Sequence, residues 1–347
     1  MRFIHTADLH LDAPVAGLPQ RAAVRRGALD ALQQMIRYAT ANEIGQMVIA
    51  GDLFDTPTPS PAVSGAVQTL FEKASHITFV IVAGNHDPLP AQGEWCGMTL
   101  PENVHLLGRD VEQLCVPGGS FVGASLYEGM KVHPFTDLPE KTGITVGVFH
   151  GSVGDAETAY RIDAKAVRQS GVDYLALGHI HKPADPMQVG KTVVAVCGSP
   201  TSHGFDEPGK RSFLDVSVRE NGVSARRVYL EGIRFFEDQI TVEESESQGD
   251  ILGKLTAQCA LHGEQDIYRF RLTGCTGHAI PKALPDYPAL VEIIDETTLP
   301  LSLDQLAEEQ SLKGFFVKGM MEQLNQADEE HRCLYEAALR LGLEAFE

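Results

Sequence analysis

The sequence predicts an α/β protein in which two sheets pack face to face with helices on the outside. Three observations carry this. Apolar runs of four to seven residues recur at 2–7, 47–50, 77–83, 144–149 and 173–177, and such runs, bounded by glycine, read as strands buried on both faces. Helical periodicity separates the first three, and a β-α-β-α-β order implies right-handed parallel crossovers. Between residues 97 and 143, short strands alternate with Gly and Pro turns, which suggests a more antiparallel sheet.

The first run, RFIHTA, leads into Asp8-Leu9-His10. After a loop, residues 21–41 place Val24, Ala28, Leu32, Met35, Ile36 and Ala39 on one helical face. MVIA then runs into Gly51-Asp52-Leu53-Phe54-Asp55. Ser60-Pro61 supplies an N-cap and a first-turn proline for a second helix reaching about Ala74. ITFVIVA ends on Gly84-Asn85-His86-Asp87. Short strands are expected at 104–107, 112–116 and 120–124. A buried strand at 144–149 ends on His150, and a short helix follows at 163–170. The run at 173–177 ends on Gly178-His179-Ile180-His181, and strands are expected at 192–196, 212–218 and 223–230. A boundary falls near Gly232. Beyond an acidic stretch at 243–249 come a helix (250–261), a strand (266–272), a Pro-rich turn (281–288) and another strand (289–294). From 302 the chain reads as helical. The expected organisation is a larger domain (1–232), a small α/β capping domain (233–300) and a helical tail (301–347).

Five strand ends therefore deliver Asp, Asn or His to one edge, and ligands of open α/β sheets collect outside the carboxyl ends of strands. Residues i and i+2 of extended chain point the same way, so Asp8 and His10, or His179 and His181, can meet one metal or two adjacent ones. Asp8, His10, Asp52, Asn85, His150, His179 and His181 are too many ligands for one site with an open position. They suit two sites if Asp52 bridges. The oxygen and nitrogen set fits Mn²⁺, Fe²⁺ or Zn²⁺, with Mg²⁺ less favoured. Two such ions suit in-line phosphoryl displacement. His86 is not needed as a ligand and suits a general acid to the leaving oxygen or a cationic donor to the developing charge. Asp55 and Asp87 read as groups that orient histidines or loop amides.

With 347 residues and 43% hydrophobic content, the chain can bury a large core beside a smaller unit. No apolar stretch approaches the ~20 residues of a membrane span, and the N-terminus has no apolar signal region. Six scattered cysteines without a CxxC pair argue against a disulfide framework. A reduced, cytoplasmic location is expected. Net charge is −19, which argues against a coat for nucleic acid. Residues 1–230 hold 19 basic and 24 acidic residues, whereas 231–347 hold 9 and 23. The acid excess is mostly C-terminal.

The motifs D-x-H, G-D-x-x-D, G-N-H-D, H and G-H-x-H, over the first 200 residues or so, resemble those of the calcineurin-like metallophosphoesterase superfamily. The resemblance implies a four-layer α/β/β/α sandwich and a dinuclear centre. Asp8, His10, Asp52 and His181 would hold one metal. Asp52, Asn85, His150 and His179 would hold the other, with His86 as the catalytic histidine and Mn²⁺ the expected ion. HTADLHLDAP, DYLALGHIH and GSP followed by GFDEPGK resemble segments of the SbcD-type DNA repair exonucleases, and the shorter, acidic C-terminal part resembles the compact YhaO-like branch. This implies a DNA substrate, an SMC-like ATPase partner and a homodimer. The competing readings are a phosphomonoesterase or cyclic-nucleotide phosphodiesterase, and a binding subunit with little catalysis.

The residues themselves say less about the substrate. Arg21, Arg25 and Arg26 near the first loop could touch phosphates or form a solvated face. Lys182, Lys210 and Arg211 are equally open. Tyr127 and Trp95 could stack bases or simply pack, and His203 could face the substrate. Leu312, Phe315, Phe316, Met320 and Leu324, with Leu334, Ala338 and Leu341 on a second helix, suit either a hairpin packed on its own domain or a docking surface for the ATPase coiled coil.

Overall fold

The computed structural model describes the chain except residues 14–20, 131–132, 137, 142, 155–159, 264–265, 285–290, 300–301 and 347. The chain divides into two units, Met1–Ile233 and Arg234–Glu347.

In the first unit, β1 (Arg2–Thr6), α1 (Arg21–Ala41), β2 (Gln46–Ala50), α2 (Pro61–Lys73), β3 (Thr78–Val82) and β4 (Val104–Leu106) alternate as strand and helix until the last strand. There follow β5 (Glu112–Val116), β6 (Gly119–Gly123) and β7 (Thr145–His150). A small ribbon, β8 (Ser152–Val153) and β9 (Arg161–Ile162), precedes α3 (Ala164–Gln169). The unit closes with β10 (Tyr174–Gly178), β11 (Met187–Val189), β12 (Thr192–Val196), β13 (Ser212–Arg219) and β14 (Gly222–Tyr229). One six-stranded sheet has the order β14-β13-β1-β2-β3-β4, and the other β11-β12-β10-β7-β6-β5.

Strand alternation builds the layers. Ile4, Met47, Ile49, Phe79 and Ile81 face Leu32 and Met35 of α1 and Val67 and Phe71 of α2. Their neighbours Phe3, Val48, Ala50, Val80 and Val82 face the other way and meet Phe121, Val146, Val148, Tyr174 and Ala176 of the second sheet. The second sheet's outer residues Phe149, Leu175, Leu177 and Val194 pack with Val167 of α3. The result is the α/β/β/α order. Burying each large side chain contributes about 1.5–3 kcal/mol relative to exposure, which is why the central strands read as unbroken apolar runs.

The stretch 97–143 differs from expectation. β4 joins the first sheet parallel to β3, and β6 joins the second parallel to β7. Only the β5–β6 hairpin, turned through Pro117–Gly118, is antiparallel. The Gly and Pro turns mark chain reversals there, but two of the three strands take their neighbours from elsewhere. β8, β9 and β11 span two or three residues each, too short for periodicity to reveal.

The second unit contains a parallel sheet, β15 (Phe235–Val242), β16 (Ile267–Gly274) and β17 (Val291–Asp295), with α4 (Gln248–His262). Ile251, Leu255 and Cys259 of α4 pack on Tyr268, Phe270 and Leu272. Ser247 and Asp250 close a reciprocal capping box at the start of α4. β15 is absent from the sequence expectation because its middle, Glu237-Asp238-Gln239, masks the alternation. The remaining helices are α5 (Ser302–Ala307), α6 (Leu312–Gln326) and α7 (Glu329–Glu344). Val317, Leu339 and Leu343 form their core, with Phe316, Met320 and Leu324 packed against it. Leu312, Phe315, Leu334 and Leu341 are exposed. Half of the Pro-rich turn at 281–288, residues 285–288, lies outside the described residues. Among the described residues, no helix is long and apolar enough to cross a membrane.

Candidate metal centre

β1, β2 and β3 run parallel and end at one edge of their sheet, and β7 and β10 do the same in the other. The two edges meet: His150 Nδ1, at the end of β7, donates to the Ala50 carbonyl at the end of β2 over 2.8 Å. The chain leaves these strands under strain. Asp8 (φ 53°), His10 (φ 45°), Asp52 (φ 50°) and His179 (φ 85°) all occupy the left-handed region. For residues other than glycine this costs on the order of 1–2 kcal/mol each. Backbone bonds hold the bends: Asp8 N–H donates to Gly51 O (3.0 Å) and His10 N–H to Asp52 O (3.1 Å). The glycines next to the site residues admit close approach. A Cβ on Gly84 would overlap the Asp52 carboxylate, and one on Gly51 would overlap the His150 ring.

The seven residues singled out from the sequence converge. Asp8, His10 and His181 offer ligand atoms within 4.8 Å of one another, as do Asp8, Asp52 and His150. Asn85 Oδ1 lies 3.0 Å from His150 Nε2 and 3.1 Å from His179 Nδ1. Asp52 Oδ2 lies between the groups, 3.6 Å from His10 Nε2 and 3.3 Å from His150 Nε2. Backbone amides hold the carboxylates, with His179 N–H donating to Asp8 and His86 N–H to Asp52.

The tautomers implied by the outer partners decide what the inner atoms can do. His10 Nδ1 donates to Asp55 (2.9 Å), and His181 Nδ1 donates to Glu207 (2.5 Å). Each Nε2 is then a bare acceptor, and the two face each other at 3.0 Å. His150, whose Nδ1 is spent on Ala50, turns Nε2 toward the Asn85 oxygen and the Asp52 carboxylate, where a proton or a cation must sit. Lone pairs pointed at lone pairs repel unless a cation lies among them. The donor set thus fits bound divalent metal, and each imidazole is oriented from behind as metal-ligating histidines are.

Burial pushes the Asp8 carboxyl up to about 6, with nearby Asp52 adding to the shift and His150 opposing it. Burial opposes ionisation of Asp52, but His150 and His10 hold it well below the usual carboxylate range. Burial lowers His10 and His179 to about 4. For His150 burial is outweighed by Asp52 and Asp8, which raise it to about 9.

His86 sits at the mouth, with 44% of its side chain exposed. Its ring stands edge-on to His10 with centroids 4.6 Å apart, and its Nδ1 lies 3.3 Å from the Asp55 carbonyl. Asp55 therefore contacts both His10 and His86. Asp87 is buried and accepts from Gly84 N–H (2.7 Å) and Phe54 N–H (3.1 Å), tying two site loops together. Burial and nearby Asp52 push its carboxyl up to about 7.

Glu207 has no place in the expectation beyond membership of the GFDEPGK segment. It is buried, holds His181, accepts from His203 N–H (3.1 Å) and lies 3.8 Å from the Arg211 guanidinium. A lone acid followed four residues later by an arginine is too common a pattern to single it out. His203 packs edge-on to His10 at 5.6 Å. Trp95 does not stack bases: it is buried against Phe54 and donates Nε1–H to Asp87 O. Tyr127 carries the Arg109 guanidinium over its ring at 5.2 Å. Arg211 is a buried clasp, donating to Ser199 O (3.0 Å) and His181 O (2.7 Å). Arg26 is exposed, and the Arg21 and Arg25 side chains lie outside the described residues.

A family model described as calcineurin-like phosphoesterase matches residues 1–183. Among known proteins, the chain is 29% identical over 245 residues to the uncharacterized metallophosphoesterase YhaO of Bacillus subtilis, covering 65% of this chain and 59% of that one. It is 27% identical to the SbcD component of the nuclease SbcCD of the same organism (65% and 68% covered). It is 26% identical to the DNA double-strand break repair protein Mre11 of Methanopyrus kandleri (64% and 55%). The chain therefore spans less than two thirds of the length of the first and third of these relatives. Among solved structures, zinc-complexed Vps29 of Entamoeba histolytica aligns at 16% identity over 66% of this chain and 99% of that chain, with a TM-score of 0.33.

Proposed function

Since this chain belongs to the calcineurin-like phosphoesterase family, we propose that it is a metal-dependent phosphodiesterase that hydrolyses DNA, working at DNA ends in repair. The observation that carries the reading is the cluster of imidazoles, carboxylates and the Asn85 oxygen gathered around Asp52, with the bare Nε2 atoms of His10 and His181 face to face at 3.0 Å, a cradle suited to two cations. Asp8, His10, Asp52 and His181 would hold one ion, and Asp52, Asn85, His150 and His179 the other. Mn²⁺ suits these donors best, before Fe²⁺, Zn²⁺ or Mg²⁺. Bound there, two divalent ions supply Lewis acidity and an activated water to in-line phosphoryl displacement.

The chain's own residues do the rest. His86, at the mouth and not part of the buried cluster, donates a proton or hydrogen bond to the leaving oxygen. Asp55 holds its Nδ1 side, which leaves Nε2 to face the substrate. Asp55, Glu207 and the Ala50 carbonyl fix the ring orientations of His10, His181 and His150. The DNA assignment draws on the likeness to SbcD and Mre11. A second component is implicit in the name of the former relative, and the resemblance to SbcD-type nucleases makes that partner an ATPase. The exposed Leu312, Phe315, Leu334 and Leu341 of the α6–α7 hairpin offer it an apolar surface. Homodimer formation and a cytoplasmic location belong to the same proposal.

The test is Mn²⁺-dependent hydrolysis of linear duplex DNA, single-stranded DNA and bis-p-nitrophenyl phosphate, beside an Asp52→Ala control. DNA degradation that the control lacks is expected. Hydrolysis of the small diester with DNA untouched, also after addition of the ATPase, overturns the nuclease assignment and favours a small phosphoester.

A further inference from the structure

A pocket of about 540 Å³ adjoins the centre, lined by His179, His181, Lys182 and Lys210, with Ile180 and Pro208 as apolar surface. Its charges sort into two classes. Arg211 and Glu207 are buried and spent: the guanidinium holds the Ser199 and His181 carbonyls, and the carboxylate holds His181 and His203. Lys182, Lys210 and Asp206 are exposed, and among the described residues none of the three enters an ion pair. Two free ammonium groups against one free carboxylate leave the pocket positive, in a chain whose net charge is −19. Elsewhere in the protein, lysines near acids pair with them, as Lys141 does with Asp173 and Lys254 with Glu246.

Lys182 follows His181 directly, so its ammonium is anchored one residue from the cation cradle. An ammonium on a flexible stem is a compact point charge that suits a phosphate. The phosphate under attack belongs at the acceptor cluster itself. A second phosphate of the same strand would then fall to the neighbouring pocket, its sugar against Ile180 and Pro208. Ile180 is 41% exposed and supplies apolar surface at the pocket.

We propose that Lys182 and Lys210 form a phosphate-binding subsite that holds the strand next to the scissile ester, so that the site favours substrates with more than one phosphate, oligonucleotides over small esters. This rests on the nuclease reading above and adds which residues select the polymer.

The experiment compares the wild type with Lys182→Ala/Lys210→Ala and with Lys73→Ala/Lys191→Ala. The last pair changes net charge equally at the opposite, strand-start edge of the sheets. Binding of a fluorescent single-stranded oligonucleotide is followed by anisotropy from about 50 to 200 mM NaCl, with Mn²⁺-dependent hydrolysis of the oligonucleotide and of bis-p-nitrophenyl phosphate alongside. Melting temperatures establish that each variant is folded. Loss of one single-strand phosphate contact lowers the slope of log K against log salt by about 0.7. Expected for the pocket variant are that drop and a loss of oligonucleotide binding at least tenfold beyond any loss on the small diester. The control pair keeps the wild-type slope. A pocket variant with wild-type slope and oligonucleotide affinity overturns the subsite while leaving the nuclease reading intact. Hydrolysis of the small diester by a wild type that binds no oligonucleotide overturns both.

Discussion

The two units place most of their paired charges differently. In Met1–Ile233 the informative charges are buried around the metal cradle: Asp8, Asp52, Asp87 and Glu207 are each at most 5% exposed. Every one is held by amides, imidazoles or a guanidinium. In Arg234–Glu347 Asp266 and Arg340 are buried, each in an ion pair, with Arg234 and Asp295, but the sheet carries an open charged face, where Arg269 and Arg271 of β16 cross to Glu237 of β15, Glu292 of β17 and neighbouring Glu296. A buried carboxylate costs several kcal/mol of solvation unless paired, so a fold keeps four of them only where something is gained. An exposed pair costs little and contributes little. The contrast separates a centre built for chemistry from a surface built for solubility.

The strongest way to break this contrast is to remove the residue on which the buried charges converge. Asp52→Ala should lower Mn²⁺-dependent hydrolysis of bis-p-nitrophenyl phosphate on the order of 10³-fold, the upper range for one oriented electrostatic group. It should also reduce bound metal measured by elemental analysis. Full metal content with full activity would place the centre elsewhere. Gly84→Ala tests the same point through shape. The added methyl meets the Asp52 carboxylate, and overpacking of this kind costs about 1–3 kcal/mol. A lower melting temperature together with lost metal is expected. A variant that melts and binds Mn²⁺ like the wild type would show that the loop has room.

Glu207 sharpens the contrast, since it is a buried charge that acts through His181. Loss of such an outer partner typically weakens metal binding about 10–100-fold. Glu207→Ala should do so in a Mn²⁺ titration. Glu207→Gln, which keeps an oxygen to accept from Nδ1–H, should lose less. Equal losses in the two variants would mean that Glu207 matters only as the counter-charge of Arg211.

How much of this was legible in the sequence follows from the same physics. Asp8, His10, Asp52, Asn85, His150, His179 and His181 stand at the ends of buried parallel strands, and an apolar run that stops on a metal-type ligand is visible in one dimension. So is the α/β order, because a strand covered on both faces cannot hide its composition. What escaped was whatever depends on a partner distant in sequence. Glu207 reaches His181 from a loop with no periodicity. Arg211 reads as a surface cation until its two carbonyl partners are seen, and Trp95 reads as a stacking platform until Asp87 O is found against its indole N–H. β4 and β6 take parallel neighbours that the local turns do not announce. β15 is hidden by the polar residues that make the exposed face of its sheet.

The β1–β13 pair of the first sheet offers an intermediate case. Asp215 is held to about 2 chiefly by the Arg2 guanidinium at 2.9 Å, with Tyr38 and Arg226 assisting. Its folded value lies below the unfolded value of about 3.9. The pairing therefore stabilises the protein above that unfolded value and is lost as pH falls through the folded one. Between about pH 4 and 2 the wild type should lose stability more steeply than Arg2→Ala. Parallel acid-denaturation curves would remove the pair from the stability account. Because the Arg2 side chain is 43% exposed, solvent screens this pair more than any contact of the metal cradle.

The smallest effect is expected in the second unit. Arg271 pairs with Glu237 and Glu296 at 2.7 Å each, with its side chain 40% exposed. Good geometry does not make such pairs strong: water competes for both partners, and long side chains lose rotamer freedom in holding them. Arg271→Ala should give only a small drop in melting temperature at low salt. The drop should shrink in about 1 M NaCl, where the screening length is ~3 Å. A large drop that salt does not touch would erase the distinction drawn between the units. It would mean that the open face of the β15–β16–β17 sheet is desolvated by a contact of its own, and its charges would then have to be read as those of the metal cradle are.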